Sequence, residues 1–359
     1  MTVTVIGAAV AFVVPFVASI VLTAVALRVA PRLGFVDRPG GRKAHERAMP
    51  LGGGVAMYLA WALPVGALLV VACIAPRLCG HTIDVAARAV PLVLLLVGGL
   101  VIMALGLLDD ARGLSVAVRL VVQIGVAAGL YLASRELRVT LFAGWCVLSF
   151  GYTVLWVLGI TNAFNFLDNM DGLSAGVALV ASVILAVVGF QTNQVVMAWL
   201  ALALAGVTAG FLVFNFPPAR IYMGDAGALF IGFTLSLLTV LFTFYRSGDA
   251  PSGRLYGVLM PLFILALPIF DTLTVVVIRL RAGRPVWQGD RNHFSHRLVA
   301  LGMSTREAVL FIYLVAFCLG LASTLLSALD VADAIVVFVI GVSIFILIAL
   351  LERAGRRKL

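Results

Sequence analysis

The chain is 359 residues long, 63% hydrophobic and only 11% charged, with a formal net charge of +9 and a mean hydropathy of +1.16. Soluble globular domains are apolar over roughly half of their residues. The composition therefore excludes a water-soluble domain and makes lipid the solvent for most of the chain; no nucleic-acid partner is expected.

A helix crossing the hydrocarbon core needs about 20 apolar residues, because every backbone group must be satisfied within the segment. Eleven runs meet this requirement, at 5–28, 52–75, 89–108, 114–133, 145–164, 173–190, 195–214, 226–245, 257–280, 306–327 and 331–351. Nothing positive precedes the first run and it is too long for a signal-peptide core, so it is expected to remain as a helix. The longest connections run to roughly 25 residues, too few for a soluble domain. The spacing thus predicts one all-α polytopic membrane domain over 1–359. Cys73, Cys79, Cys146 and Cys318 show no metal-ligand spacing and read as small apolar packing residues.

Lysine and arginine divide unevenly between alternate connections. The loop after the first run, Arg112 with Arg119, Arg220, the loop after the ninth run and the tail together hold 19 of the 25 basic residues. By the positive-inside rule that set faces the cytoplasm, which puts the N-terminus outside and the C-terminus inside. An odd number of helices agrees.

Five aspartates fall on the same side. Asp109 and Asp110 stand in "GLLDDARG", Asp168 and Asp171 in "NAFNFLDNMDGLSAG", and Asp225 in "YMGDAG". Charge at membrane depth is costly and by default functional. Carboxylate oxygens suit Mg²⁺, which keeps waters and is shared with substrate phosphates, while Arg, Lys and His suit the phosphates. Together they describe a phosphoryl-transfer site, where positioning and charge neutralisation supply most of the catalysis. No G-x-x-x-x-G-K-[ST] motif occurs, so a nucleotide would be held by other means. The glycines around Asp225 allow a tight turn into the eighth helix, whose N-terminal dipole favours an anion.

With these segments, and with "GFVDRPGGRKAHERAMPLGGG" and "DRNHFSHRLVALGMS", the chain resembles the polyprenyl-phosphate N-acetylhexosamine-1-phosphate transferases, glycosyltransferase family 4. The resemblance covers nearly the whole chain. It implies an enzyme of the bacterial inner membrane that moves a sugar 1-phosphate from a UDP-N-acetylhexosamine to undecaprenyl phosphate and releases UMP. Mg²⁺ is the implied cofactor, with Mn²⁺ as a substitute, and membrane lipids and a second copy of the chain are further partners. The site is expected on cytoplasmic loops 29–51, 109–113, 165–172, 215–225 and 281–305.

Residue by residue, the resemblance places Asp109 and Asp110 beside the metal and the lipid phosphate, and Asp225 on the metal. It places Asn165, Asp168 and Asp171 at the nucleotide sugar, with Lys43 and Arg291 as basic substrate contacts and Tyr222 stacked on the base. If residues 165–171 are helical, the i, i+3, i+6 spacing keeps the first three on one face. His293 and His296 match a histidine motif in which Ser295 stands where another His is common, and the resemblance counts both, with Asp109 and Asp110, among the catalytic residues. The wording of the loops is more similar to the GlcNAc-1-phosphate branch than to the phospho-MurNAc-pentapeptide branch. A secondary transporter is the rival from another class, but it should carry ionisable groups at mid-membrane. Only Asp271, in "PIFDTL", fits that description, and it reads as a helix-facing polar contact beside a kink at Pro268.

Overall fold

A computed structural model describes residues 2–37, 48–75, 80–139, 145–242, 259–290, 292–326, 329 and 331–356. In chain order it contains α1 (Thr2–Arg32), a two-residue antiparallel ladder of β1 (Val36–Asp37) and β2 (Met49–Pro50), α2 (Gly53–Ile74), α3 (Gly80–Ala87), α4 (Ala89–Arg112) and α5 (Val116–Ala133). There follow α6 (Cys146–Leu167), α7 (Leu173–Gln191), α8 (Val195–Asn215), α9 (Gly224–Leu241), α10 (Ala266–Arg281), α11 (Phe294–Ala300), α12 (Thr305–Leu325) and α13 (Val331–Arg356).

Among the described residues ten helices are long and apolar enough to cross a membrane, so the chain is a multi-pass membrane protein. The run at 257–280 differs from the other ten: residues 259–264 are helical, Leu265 is a turn, and α10 then continues for 16 residues. Pro268 explains the interruption, because it has no N–H to offer the carbonyl of Ile264 one turn earlier.

Helix ends follow local chemistry. Ser115 caps α5 by accepting from the Val118 N–H at 3.4 Å, and Ser304 with Glu307 forms a reciprocal capping box on α12. The most enclosed spanning helix is α9, which packs against α4, α6 and α2 with Phe230 and Phe233 fully buried. Small residues allow this closeness, as membrane packing requires: a Cβ on Gly106 of α4 would stand 2.5 Å from the backbone of Ala226. By contrast α1 and α13 turn most of their surface to lipid. Cys73, Cys146 and Cys318 are free and exposed rather than packed inside; Cys79 lies outside the described residues.

Candidate active site

The site begins as a backbone junction between segments far apart in sequence. The Tyr222 N–H donates to the Pro50 carbonyl at 3.0 Å, and the Gly53 and Gly54 N–H groups donate back to the Tyr222 and Met223 carbonyls at 3.2 and 3.0 Å. These bonds satisfy two of the orphan donors that open α2. A side chain at Gly54 would strike the backbone of Gly227, so the glycine run "LGGG" is a docking surface for "YMGDAG".

Asp110, at the end of α4, closes the same junction. Its Oδ1 accepts from the Asp225 N–H at 2.9 Å and its Oδ2 from the Ala226 N–H at 3.2 Å. The anion expected at this helix start is thus a carboxylate of the protein, capping α9 from a neighbouring helix. Gly224 makes this possible twice over: its φ is +68°, and a Cβ there would run into the Asp110 carboxylate.

Asp109, the adjacent residue, points elsewhere. Its Oδ1 accepts from the Leu114 N–H at 2.6 Å and its Oδ2 from Arg119 at 2.6 Å. The same Arg119 nitrogen reaches Asp225 Oδ2 at 3.4 Å, while Asn165 donates to Asp225 Oδ1 at 2.7 Å. Side-chain exposure separates the two carboxylates: 6% for Asp109 and 32% for Asp225. Asp225 is the one an ion can approach. Among the described residues no three His, Cys, Asp or Glu side chains form a metal cage.

The segment carrying Asn165, Asp168 and Asp171 does not share one helical face. Helix α6 stops at Leu167, the Asn169 side chain donates to the Phe166 carbonyl at 2.7 Å, and the Gly172 N–H donates to Asn215 at 3.0 Å. Asn169 and Asn215 thus satisfy backbone groups just where the helix ends. Asp171 accepts from the Ala219 N–H at 2.9 Å and so fixes the α8–α9 connection. Burial, then the charges of Asp225, Asp110 and Asp171, push Asp168 well above the ordinary carboxylate range. Burial and the charges of Asp171, Asp37 and Asp168 raise the Tyr222 hydroxyl to about 12. Tyr222 therefore lies within electrostatic reach of these carboxylates.

The histidine loop is anchored in an unforeseen way. Asp271, 1% exposed, faces His293 Nδ1 at 2.8 Å and accepts from the Phe294 N–H at 2.7 Å, tying the first turn of α11 to α10. Arg279 approaches His293 Nε2 at 3.5 Å and pairs with Asp290 at 3.1 Å. Burial raises the Asp290 carboxyl, but hydrogen bonds from Arg279 and Asn292 and the charge of Arg279 outweigh it and bring it to about 2. Ser295 donates to Asn169, joining this loop to the turn after α6. His293 is buried and His296, one turn on, is half-buried. Lys43 and Arg291 lie outside the described residues.

The structure thus gathers Asp109, Asp110, Asn165, Asp168, Asp171, Tyr222 and Asp225 at one end of the bundle. Arg119 was missed as a site residue, although its place in the first turn of the helix after the paired aspartates was a usable signal. Asn215 and Arg279 carried no comparable signal, since their roles depend on contacts made by distant segments.

The fold is that of a multi-pass helical membrane protein, with an acidic cluster bridged by Arg119 at one end of the bundle. The sequence model of glycosyl transferase family 4 matches residues 92–243. The chain is similar to a probable undecaprenyl-phosphate N-acetylglucosaminyl 1-phosphate transferase of Bacillus subtilis (strain 168), 34% identical over 89% of this chain and 85% of that one. It is 32% identical to a decaprenyl-phosphate N-acetylglucosaminephosphotransferase of Mycobacterium tuberculosis (strain ATCC 25618 / H37Rv), over 90% and 84%. An undecaprenyl-phosphate alpha-N-acetylglucosaminyl 1-phosphate transferase of Escherichia coli (strain K12) is 28% identical over 82% and 77%. The chain belongs to glycosyl transferase family 4.

Proposed function

We propose that this protein transfers N-acetylglucosamine 1-phosphate from UDP-N-acetylglucosamine to undecaprenyl phosphate at the cytoplasmic face of the bacterial inner membrane, releasing UMP and initiating a surface polysaccharide. The names of the relatives support the acceptor and the sugar. The observation that carries the reading is the convergence of Asp109 and Asp225 on Arg119, with Asn165 bonded to Asp225 from α6.

An acceptor phosphate oxygen attacks the β-phosphorus of the UDP-sugar, the bond from that phosphorus to the bridging oxygen breaks, and UMP leaves with the bond's electrons. The acceptor monoester has a second pKa near 6 and is largely dianionic at neutral pH, so no strong base is required. Arg119 is poised to exchange its carboxylates for phosphate oxygens, which it can bind as a fork. Asp109 orients Arg119, and Asp110 fixes the start of α9 and thereby aims Asp225. The donor set is all oxygen and over-supplied with negative charge, which fits a hard divalent cation. Asp225, with Asn165 beside it and Asp168 within electrostatic reach, would hold Mg²⁺, or Mn²⁺ in its place. When bound, the ion neutralises the diphosphate as the transferred charge develops. His293 and His296 belong to this reading as catalytic, phosphate-neutralising residues and Lys43, Arg291 and Tyr222 as substrate contacts, and assembly as a homodimer belongs to the same reading.

The test is a side-by-side assay of the purified chain with undecaprenyl phosphate and labelled UDP-GlcNAc, UDP-GalNAc or UDP-MurNAc-pentapeptide. Label should enter the lipid extract from UDP-GlcNAc, with UMP released in equal amount. Transfer only from the pentapeptide substrate would assign the other branch, and no transfer from any donor would end the enzyme reading.

A further inference from the structure

A groove of about 430 Å³ runs between α10 and the C-terminal helix α13. Phe270, Leu273, Val277 and Ala349 form its apolar walls, and Arg281, Arg297, Glu352 and Arg353 line it where both helices end. It lies on the opposite face of α10 from the candidate site: Asp271, Val275 and Arg279 are buried toward the bundle, whereas Leu273 and Val277 are 58% and 43% exposed. Phe270 stacks on Phe345 with ring centroids 4.3 Å apart, which holds the two walls together. An apolar furrow on the lipid-facing side of a membrane protein is filled by hydrocarbon, since water gains nothing there.

The charged end selects which lipid fills it. Arg297 and Glu352 satisfy one another through contacts of 3.1 and 3.0 Å. Arg281 and Arg353 are exposed, with no ion pair among the described residues, and leave two cations over an apolar slot. Basic side chains at a membrane surface attract anionic headgroups, each by a modest amount, and their long stems reach the phosphate level from within the apolar layer.

We propose that this groove binds one anionic glycerophospholipid, its phosphate between Arg281 and Arg353 and an acyl chain along Leu273 and Val277. The transferase's own lipid acceptor is not the occupant, on the function proposed above, because its phosphate must reach Arg119 and Asp225. Helix α10 stands between, packed by its inner face on α6, which carries Asn165. The bound lipid also braces the site from outside. Arg297, on the groove wall, donates to the Asn292 carbonyl at 2.5 Å, next to His293, so a headgroup that draws α10 and α13 together steadies the histidine loop.

The experiment is native mass spectrometry of the full chain equilibrated with equal phosphatidylglycerol and phosphatidylcholine. The wild type should retain one phosphatidylglycerol in preference to phosphatidylcholine. The double variant Arg281→Gln/Arg353→Gln should lose that preference by roughly tenfold or more, two headgroup contacts being removed. Val277→Trp, which fills the slot but keeps both arginines, should lower retention as well, and size exclusion of both variants confirms the fold. Added inorganic phosphate should not displace the lipid, because it has no acyl chain. Retention of phosphatidylglycerol by the double variant at the wild-type level overturns the proposal. So does stoichiometric displacement by undecaprenyl phosphate, which would give the groove to the acceptor.

Discussion

Asp109 and Asp110 are neighbours with different tasks, and substitution should separate them. Asp110→Asn replaces an acceptor of two backbone N–H groups by an amide that can accept only with its oxygen, leaving one donor facing a donor. A buried donor without its partner costs about 1–3 kcal/mol, so this variant should melt earlier and lose activity that no excess of Mg²⁺ restores. Asp225→Asn leaves the α9 cap intact. The carboxylate it replaces accepts from side chains and is 32% exposed, so water can take the place of a lost partner. The variant should melt closer to the wild type than Asp110→Asn does, lose turnover by on the order of 10³ as for a principal electrostatic stabiliser, and regain part of it at high Mg²⁺ or with Mn²⁺. Initial rates against metal concentration, beside melting curves, read both; identical melting of the two variants would contradict the division of roles. Asp168 gives the pH dependence. Its raised folded pKa means that the folded state binds this proton more tightly than the unfolded chain, so the cation-free fold loses stability as pH rises above the ordinary carboxylate value toward the raised one. A cation competes with that proton. The rise in melting temperature on adding Mg²⁺ should therefore be larger at about pH 8 than at about pH 5.5; an increment independent of pH would remove Asp168 from the cation's surroundings.

At the scale of elements, the loops that meet at the candidate site were legible because glycine, asparagine and aspartate have no reason to cluster in an apolar chain unless the backbone or a ligand needs them. The spans were legible by length alone, and even the break before α10 was marked by Pro268. The end of α6 was not, because the i, i+3, i+6 spacing of Asn165, Asp168 and Asp171 is compatible with a helix, and Asn215, 43 residues beyond Gly172, helps decide otherwise. The partnership of Asp271 with His293 was likewise invisible, since it joins a spanning helix to a loop. It predicts that Asp271→Asn, which keeps an oxygen for the Phe294 N–H but loses the anionic partner of the imidazole, lowers kcat by roughly tenfold with little change in KM for the UDP-sugar. Combined with His293→Ala it should add almost nothing, as for two residues acting as one unit. Additive losses in that double-mutant cycle would show that Asp271 acts on the fold and not through the histidine.

For the whole molecule, the bias of 19 basic residues in 25 toward one set of connections makes a topology that can be read directly. A reporter fused after Leu359 should register in the cytoplasm and one inserted near Asp249 outside; the reverse would separate the acidic pocket from any cytoplasmic UDP-sugar. The junction of Pro50–Gly54 with Tyr222–Met223 bears on biogenesis. Helices enter the membrane in the order of synthesis, so α2 is laid down long before the strand of chain that meets its first turn exists. Until residue 223 has emerged, the amides of Gly53 and Gly54 must rely on water at the headgroup level, and the aspartates of α4 have no α9 to cap. A nascent chain halted before that point thus has its early spans in the bilayer but no acidic cluster, and the protein acquires that end in a single late event, when α9, the eighth of its long helices, folds back onto α2 and α4.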